Sequence, residues 1–420
     1  MHVLYIVLLS LALSWIFSGL LGKLKLPRVL SPIIAGILLG IEPINSFLFD
    51  TEAITVMSSF ADIGLVFLMF YVGFELNTRD MLKTGKQSVY ISIFCVITAF
   101  LLGFGVGKLL GFSNLVSVIL GATLSVSAEA IAVNILEEAN MLKSRIGAIV
   151  VSAGLIDNLI EIAMIAVIVA FTETSSVSPL LLVPFVILLG FAVFVFYRFV
   201  IPRFLLIAEN YNLETNIFMV SVIMALVFSV LSEYMGFGFI IGALLAGAVM
   251  NRAIAKHMTE EYRKKRKTLF DMTTKQFEQL KMKMKEHELT LSAIKTTTFG
   301  FLVPFFFIWI GLNVDLTSIF KSPLLILLLT IAAFSGQLIG ATVGNLLAKG
   351  TLGEGFIIGW ALNSRGSVEL VFAEIARSSN IISGDVFSAI VFMSLLTTFF
   401  SPVMFKYLVL RQKHKKRIAK

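Results

Sequence analysis

Apolar residues in this chain arrive in long unbroken runs. They neither alternate as in a half-buried strand nor keep to one face as in a soluble amphipathic helix. From Leu4 to Leu21 the only hydrogen-bonding side chains are Tyr5, Ser10, Ser14, Trp15 and Ser18. About 20 helical residues at 1.5 Å each match the roughly 30 Å hydrocarbon core of a bilayer. Thirteen such segments fall near 3–22, 29–43, 54–76, 88–111, 114–137, 145–171, 178–200, 214–232, 237–250, 297–313, 323–347, 354–378 and 385–409. The pattern predicts an all-α polytopic membrane protein.

Composition agrees. Of 420 residues 58% are hydrophobic and 14% charged, and 38 are Phe, against about 25% charged in soluble domains. Mean hydropathy is +0.94. The single cysteine, Cys95, excludes a disulfide framework and a multi-cysteine metal site. The first apolar run has no basic residue before it and no small-residue cleavage signal, so it reads as a retained span.

The net charge of +8 could suit nucleic acid, but its placement sets orientation instead. Lys and Arg gather in the odd-numbered connections, from Lys23, Lys25 and Arg28 to Lys349, with Lys321 and Arg377 as exceptions in the even ones. The N-terminus is therefore expected outside, and the basic tail at 412–420 in the cytoplasm. Spans 1–9 (1–251) and spans 10–13 (296–411) flank one sizeable loop, 252–295. Within it Phe270, Phe277, Leu280 and Met284 recur at helical spacing behind Arg263–Lys267. The stretch 263–285 reads either as an amphipathic helix on anionic lipid or as a solvated linker helix. No nucleotide-binding module is expected after the last span.

Ionisable groups inside the spans carry the chemistry, because each costs at least about 2.5–3.5 kcal/mol to insert without a partner or a task. Ser125, Ser127 and Glu129 lie midway along the fifth span. Asn363, Ser364, Arg365, Gly366 and Glu369 lie midway along the twelfth. Small polar residues at that depth suit helices that break and expose backbone to a cavity. Two broken helices an odd number of spans apart run in opposite directions, as in inverted repeats of spans 1–6 and 8–13. Glu129 and Arg365 are placed to neutralise the helix ends meeting there, or else simply hold the crossing together.

On the sixth span Asp157 and Glu161 share a face at i and i+4, with Asn158 beside them. Two carboxylates in a low-dielectric site cannot both ionise without a cation, so they share a proton. A cation and a proton competing for the same oxygens is the physical basis of exchange; a buried neutral acid, or one paired to Arg365, is the structural alternative. Gln337 and Asn313 either line the same cavity or bond across helices. Phosphate-binding loops, nucleophile elbows and His clusters are absent, which leaves enzymatic readings unsupported.

Five blocks in order resemble the monovalent cation:proton antiporter-2 family of bacterial Na+/H+ antiporters, Kef-type efflux systems and plant CHX-type exchangers. They are Leu26–Gly40 (LPRVLSPIIAGILLG), Ala61–Glu75 (ADIGLVFLMFYVGFE), Gly238–Gly247 (GFIIGALLAG), Pro304–Gly311 (PFFFIWIG) and Ser364–Leu370 (SRGSVEL). The resemblance implies an NhaA-like antiporter fold, a homodimer with a core moving against a scaffold, and alternating access to one site at the cell membrane. It implies transported Na+ or K+ and H+, with no resident cofactor. Two departures stand out. The sixth span has Asn158 where relatives carry an ion-binding Asp, and the fifth has Glu129 where they carry Thr, Ser or Pro. The expected ion and proton ligands are thus Asp157, Glu129, Glu161, Asn158 and Ser127, with Asp157 and Glu129 on the metal ion. Arg365, Glu369, Asn363 and Ser364 form the crossing and its counter-charge. A solute symporter, an anion carrier, or a non-transporting sensor on the same scaffold are the alternatives.

Overall fold

The computed structural model describes residues 3–24, 26–75, 85–139, 141–142, 144–173, 216–234, 238–251, 292, 295–366 and 368–418. The expected span at 178–200, the basic stretch at 263–285 and the end of the tail lie outside these residues. The described residues of the other expected segments are mainly helical, with a break within each of the fifth and twelfth.

In chain order the helices are α1 (Val3–Lys23), α2 (Leu30–Leu39), α3 (Ile44–Leu48), α4 (Thr51–Glu75), α5 (Lys86–Leu109), α6 (Asn114–Ser125), α7 (Glu129–Glu138) and α8 (Arg145–Glu173). Then follow α9 (Asn216–Tyr234), α10 (Phe239–Asn251), α11 (Val303–Leu312), α12 (Ser318–Lys321), α13 (Pro323–Leu347), α14 (Leu352–Leu362), α15 (Val368–Ser378) and α16 (Gly384–Ile418). Among the described residues, six helices are long and apolar enough to cross a membrane whole. The half-length apolar helices include α6 and α14, the first halves of the two interrupted spans.

Local chemistry sets several ends. Ser113 accepts the Val116 N–H at 3.2 Å to start α6, and Thr351 accepts that of Glu354 at 3.3 Å to start α14. Asp50 caps α4 through the Ala53 N–H at 2.8 Å, a bond that holds its exposed carboxyl below the usual range. A π-helical turn, Thr298–Leu302, precedes α11. Pro304 follows it; lacking an N–H and crowding the carbonyl four residues back, it favours a widened turn there.

The chain forms two compact units. One comprises Met1–Met57, Thr78–Ile168 and Phe307–Lys420. In it α13 stands against α5 through Gly336, Gly340 and Gly344, spaced four apart; a Cβ on Gly340 would lie 2.5 Å from the Cys95 Cα. Lipid gives helices no hydrophobic reason to associate, so close backbone packing of small residues replaces it. Thr98 seals the contact with a 2.7 Å bond to the Gly336 carbonyl. Gly36 and Gly311 bring α2 and α11 together in the same way, with Gly36 directly against the Ile308 carbonyl. The second unit comprises Ser58–Asn77 and Val169–Phe306. There Gly73 lies on the Leu244 carbonyl and Gly247 on that of Phe70, while Asn251 donates to the Phe74 carbonyl at 2.6 Å.

Candidate functional site

Both interrupted spans lie in the first unit. The fifth leaves helical geometry at Val126–Ala128, between α6 and α7, and the twelfth between Asn363 and α15. Neither segment, 114–138 or 352–378, contains proline. The interruptions are held by bonds between segments: the Ala128 N–H donates to the Ser364 carbonyl at 2.8 Å. The halves pair crosswise, α6 with α15 and α7 with α14. First half against second half is the pairing of two segments that run in opposite directions.

Breaking a helix leaves carbonyls facing the gap at one end and N–H groups at the other. Arg365, 1% exposed, reaches from the twelfth span to the carbonyl end of α6. Its Nη1 donates to the Thr123 and Val126 carbonyls at 3.1 and 2.5 Å. Thr398 on α16 fixes the Arg365 backbone, accepting its N–H at 3.2 Å and donating to its carbonyl at 2.7 Å. Acidic residues stand at the two N–H ends, where the helix dipole favours them: Glu129 begins α7 and Glu369 lies in the first turn of α15.

On α8, Asp157 and Glu161 are both buried and both point at the first break. Ser127 binds the two together, its hydroxyl donating to Asp157 Oδ2 at 2.8 Å and its N–H to Glu161 Oε1 at 3.1 Å. Ser92 on α5 donates to the other Asp157 oxygen. Glu369 accepts from Ser394 at 2.8 Å. Asn363 ends α14, its amide donating to the Phe334 carbonyl at 3.4 Å. Among the described side chains the crossing therefore gathers Asp157, Glu161 and Glu369 within electrostatic reach of Arg365. If all were ionised, negative charge would exceed positive, and the balance must come from protons or a bound cation.

The structure thus brings together Asp157, Glu161, Ser127, Arg365, Ser364, Asn363 and Glu369. The side chains of Glu129 and Asn158 lie outside the described residues; their backbones start α7 and continue α8 beside the others. Sequence reasoning missed Ser92, Ser394 and Thr398. A weak signal existed for each: Ser88 and Ser92 share one face of α5, and Ser394, Thr397, Thr398 and Ser401 one face of α16, all buried. Lys108 donates to the Phe112 carbonyl of its following loop at 3.4 Å and to Asn114, at the start of α6, at 3.0 Å. Asn313 bonds back to the Trp309 carbonyl at 2.8 Å.

Paired helix breaks deep in an all-helical apolar protein, lined by carboxylates, define the class of secondary membrane transporters rather than enzymes. Comparison with known proteins narrows this. The sequence profile of the transmembrane sodium/hydrogen exchanger family matches residues 7–411. The chain belongs to that family. It is 24% identical over 406 residues to a Na(+)/H(+) antiporter of Enterococcus hirae, covering 96% of this chain and 97% of that one. It is 26% identical over 403 residues to the Na(+)/H(+)-K(+) antiporter GerN of Bacillus cereus, covering 96% and 94%. Its fold matches that of the sodium proton antiporter MjNhaP1 from Methanocaldococcus jannaschii, with a TM-score of 0.64 at 15% identity over 98% of each chain.

Proposed function

We propose that this protein exchanges a monovalent cation, Na+ before K+, for protons by alternating access of one carboxylate site. The observation that carries the proposal is Asp157: a buried carboxylate fixed by the Ser92 and Ser127 hydroxyls at a helix break, beside Glu161 and in a surplus of negative charge. Hard oxygen ligands around a small space favour Na+ or K+ over softer metals. The same oxygens hold a proton when the cation leaves, so the two species displace one another. The surplus of carboxylates disfavours an anionic substrate at Arg365.

The ligand set comprises Asp157 and Glu129 on the cation, with Glu161, Asn158 and Ser127 around them. Glu129 takes over the task of the acid that relatives carry where this chain has Asn158. Arg365, with Glu369, Asn363 and Ser364, holds the crossing and its counter-charge. The chain sits in the cell membrane as a homodimer, N-terminus outside and C-terminus cytoplasmic; the Lys and Arg bias of the odd-numbered connections supports the orientation. Anionic lipid is the proposed partner of 263–285.

Proteoliposomes of known sidedness, loaded with a pH indicator and offered Na+, K+ and Li+ in turn, test the proposal. Wild-type protein should dissipate a pH gradient only when a transported cation is present. Asp157→Asn and Glu129→Gln should fall to background, and Asn158→Ala should keep measurable exchange. Flux that survives Asp157→Asn sinks the site. Glu129→Gln milder than Asn158→Ala sinks the relocated carboxylate. A protease acting on the C-terminal tail from the cytoplasmic face alone completes the orientation.

A further inference from the structure

The second break carries a set of buried polar atoms that the cation site does not use. Among the described residues, Arg365 Nε and Nη2, Glu369 Oε2, Ser364 Oγ, Asn363 Oδ1 and both amide atoms of Gln337 have no hydrogen-bond partner. All five residues are at most 1% exposed. They are neighbours: Asn363 and Ser364 precede Arg365, Glu369 lies one turn beyond, and Asn363 hangs from the Phe334 carbonyl, one turn from Gln337 on α13. Unpaired buried polar atoms are costly, so a cluster of them points to something that satisfies them. Acceptors alone would suit a bare cation and donors alone an anion. This set mixes both, which matches the donor and acceptor needs of water.

Among the described side chains, Glu369 is the one carboxylate in that unpaired set. Ser394 donates to one of its oxygens, the Gly366 and Glu369 N–H groups approach the carboxyl without bonding to Oε2, and Arg365 is near without closing an ion pair on it. The groups around Glu369 are few. Helix α6, packed against α15, has no titratable side chain between Asn114 and Ser125, and α16 has none between Asp385 and Lys406. Arg365 faces it from the break, with Asp157 and Glu161 of α8 beyond. Glu374 and Arg377, further along α15, are occupied with each other at 2.6 Å and with Trp309 at 3.1 Å.

We propose that Glu369 is a second proton-carrying group of the exchanger, reached by water in a chamber lined by Arg365, Ser364, Asn363 and Gln337. The proton site and the cation site then lie on opposite breaks, with Arg365 between them. The chamber lets the proton on Glu369 pass to water without entering the Asp157 shell. This inference rests on the exchange reading above.

The test counts protons released from detergent-solubilised protein on addition of Na+, with cation binding measured in parallel by calorimetry. Wild type should release protons. Glu369→Gln should bind Na+ yet release about one proton fewer per cation, since each carboxyl holds a single exchangeable proton. Unchanged release with intact binding overturns the role of Glu369, and so does loss of Na+ binding, which would place Glu369 in the cation shell. If Glu369→Gln does not fold, Ser394→Ala removes its hydroxyl partner; the pH of half-maximal release should then shift, and an unshifted profile overturns the inference. Wild-type protein that releases no protons with Na+, K+ or Li+ overturns exchange itself and this inference with it.

Discussion

Arg365 is the residue on which the crossing depends, and its geometry says how. Its Nη1 goes to backbone carbonyls of the opposite break, not to a carboxylate. The guanidinium thus completes a helix end. Arg365→Ala would strip the donor from two buried carbonyls at about 1–3 kcal/mol each, and remove the fixed positive charge among three acids. The expected outcome is a large fall in the unfolding midpoint in detergent, with Arg365→Lys intermediate because one ammonium cannot reproduce the planar fork. An Arg365→Ala protein as stable as wild type would show that the carbonyls find other donors. At this scale much was legible in the sequence. Asp157, Glu161, Arg365 and Glu369 stand out because charge in an apolar run is costly. Ser92, Ser394 and Thr398 did not, since hydroxyls bond their own helix in most spans, as Ser401 does with the Thr397 carbonyl, and only the fold shows which ones reach across.

Helices were the most readable level, because thirty ångströms of hydrocarbon demand long apolar runs whatever the tertiary context. The short α3 and α12 were not, being a turn or so of loop with no periodic face. Nor was the partner of each helix, which depends on where glycines meet backbone. The pair Gly36 and Gly311 makes this measurable. An Ala at Gly36 would put its Cβ on the Ile308 carbonyl, an overpacking worth about 1–3 kcal/mol. At Gly19 nothing lies within 4 Å, and Ala gains up to about 1 kcal/mol of helix propensity. The two substitutions should therefore move the thermal midpoint in opposite directions, and equal effects would contradict the close α2–α11 contact.

For the molecule as a whole, membership of the exchanger family and the all-helical fold followed from patterns spread along the chain. The sequence already suggested that spans five, six and twelve share a site; the atoms that meet there required the structure, since nothing local says that Ser364 meets Ala128. That meeting bears on how the protein is made. Neither broken span contains a proline, so nothing in its own sequence forbids a continuous helix. The acceptor for the Ala128 N–H belongs to a segment that leaves the ribosome long after the fifth span has entered the bilayer. Until it arrives, the amide has no such partner in lipid, where an unpaired one is costly. The fifth span should therefore insert as an unbroken rod and open at Val126–Ala128 only when the twelfth docks. Spin labels at 114 and 138 in a chain ended before Leu352 should report the span of a continuous helix, about 36 Å at 1.5 Å per residue, and a different distance in the full chain. Equal distances would mean that the break forms during synthesis, before its partner exists.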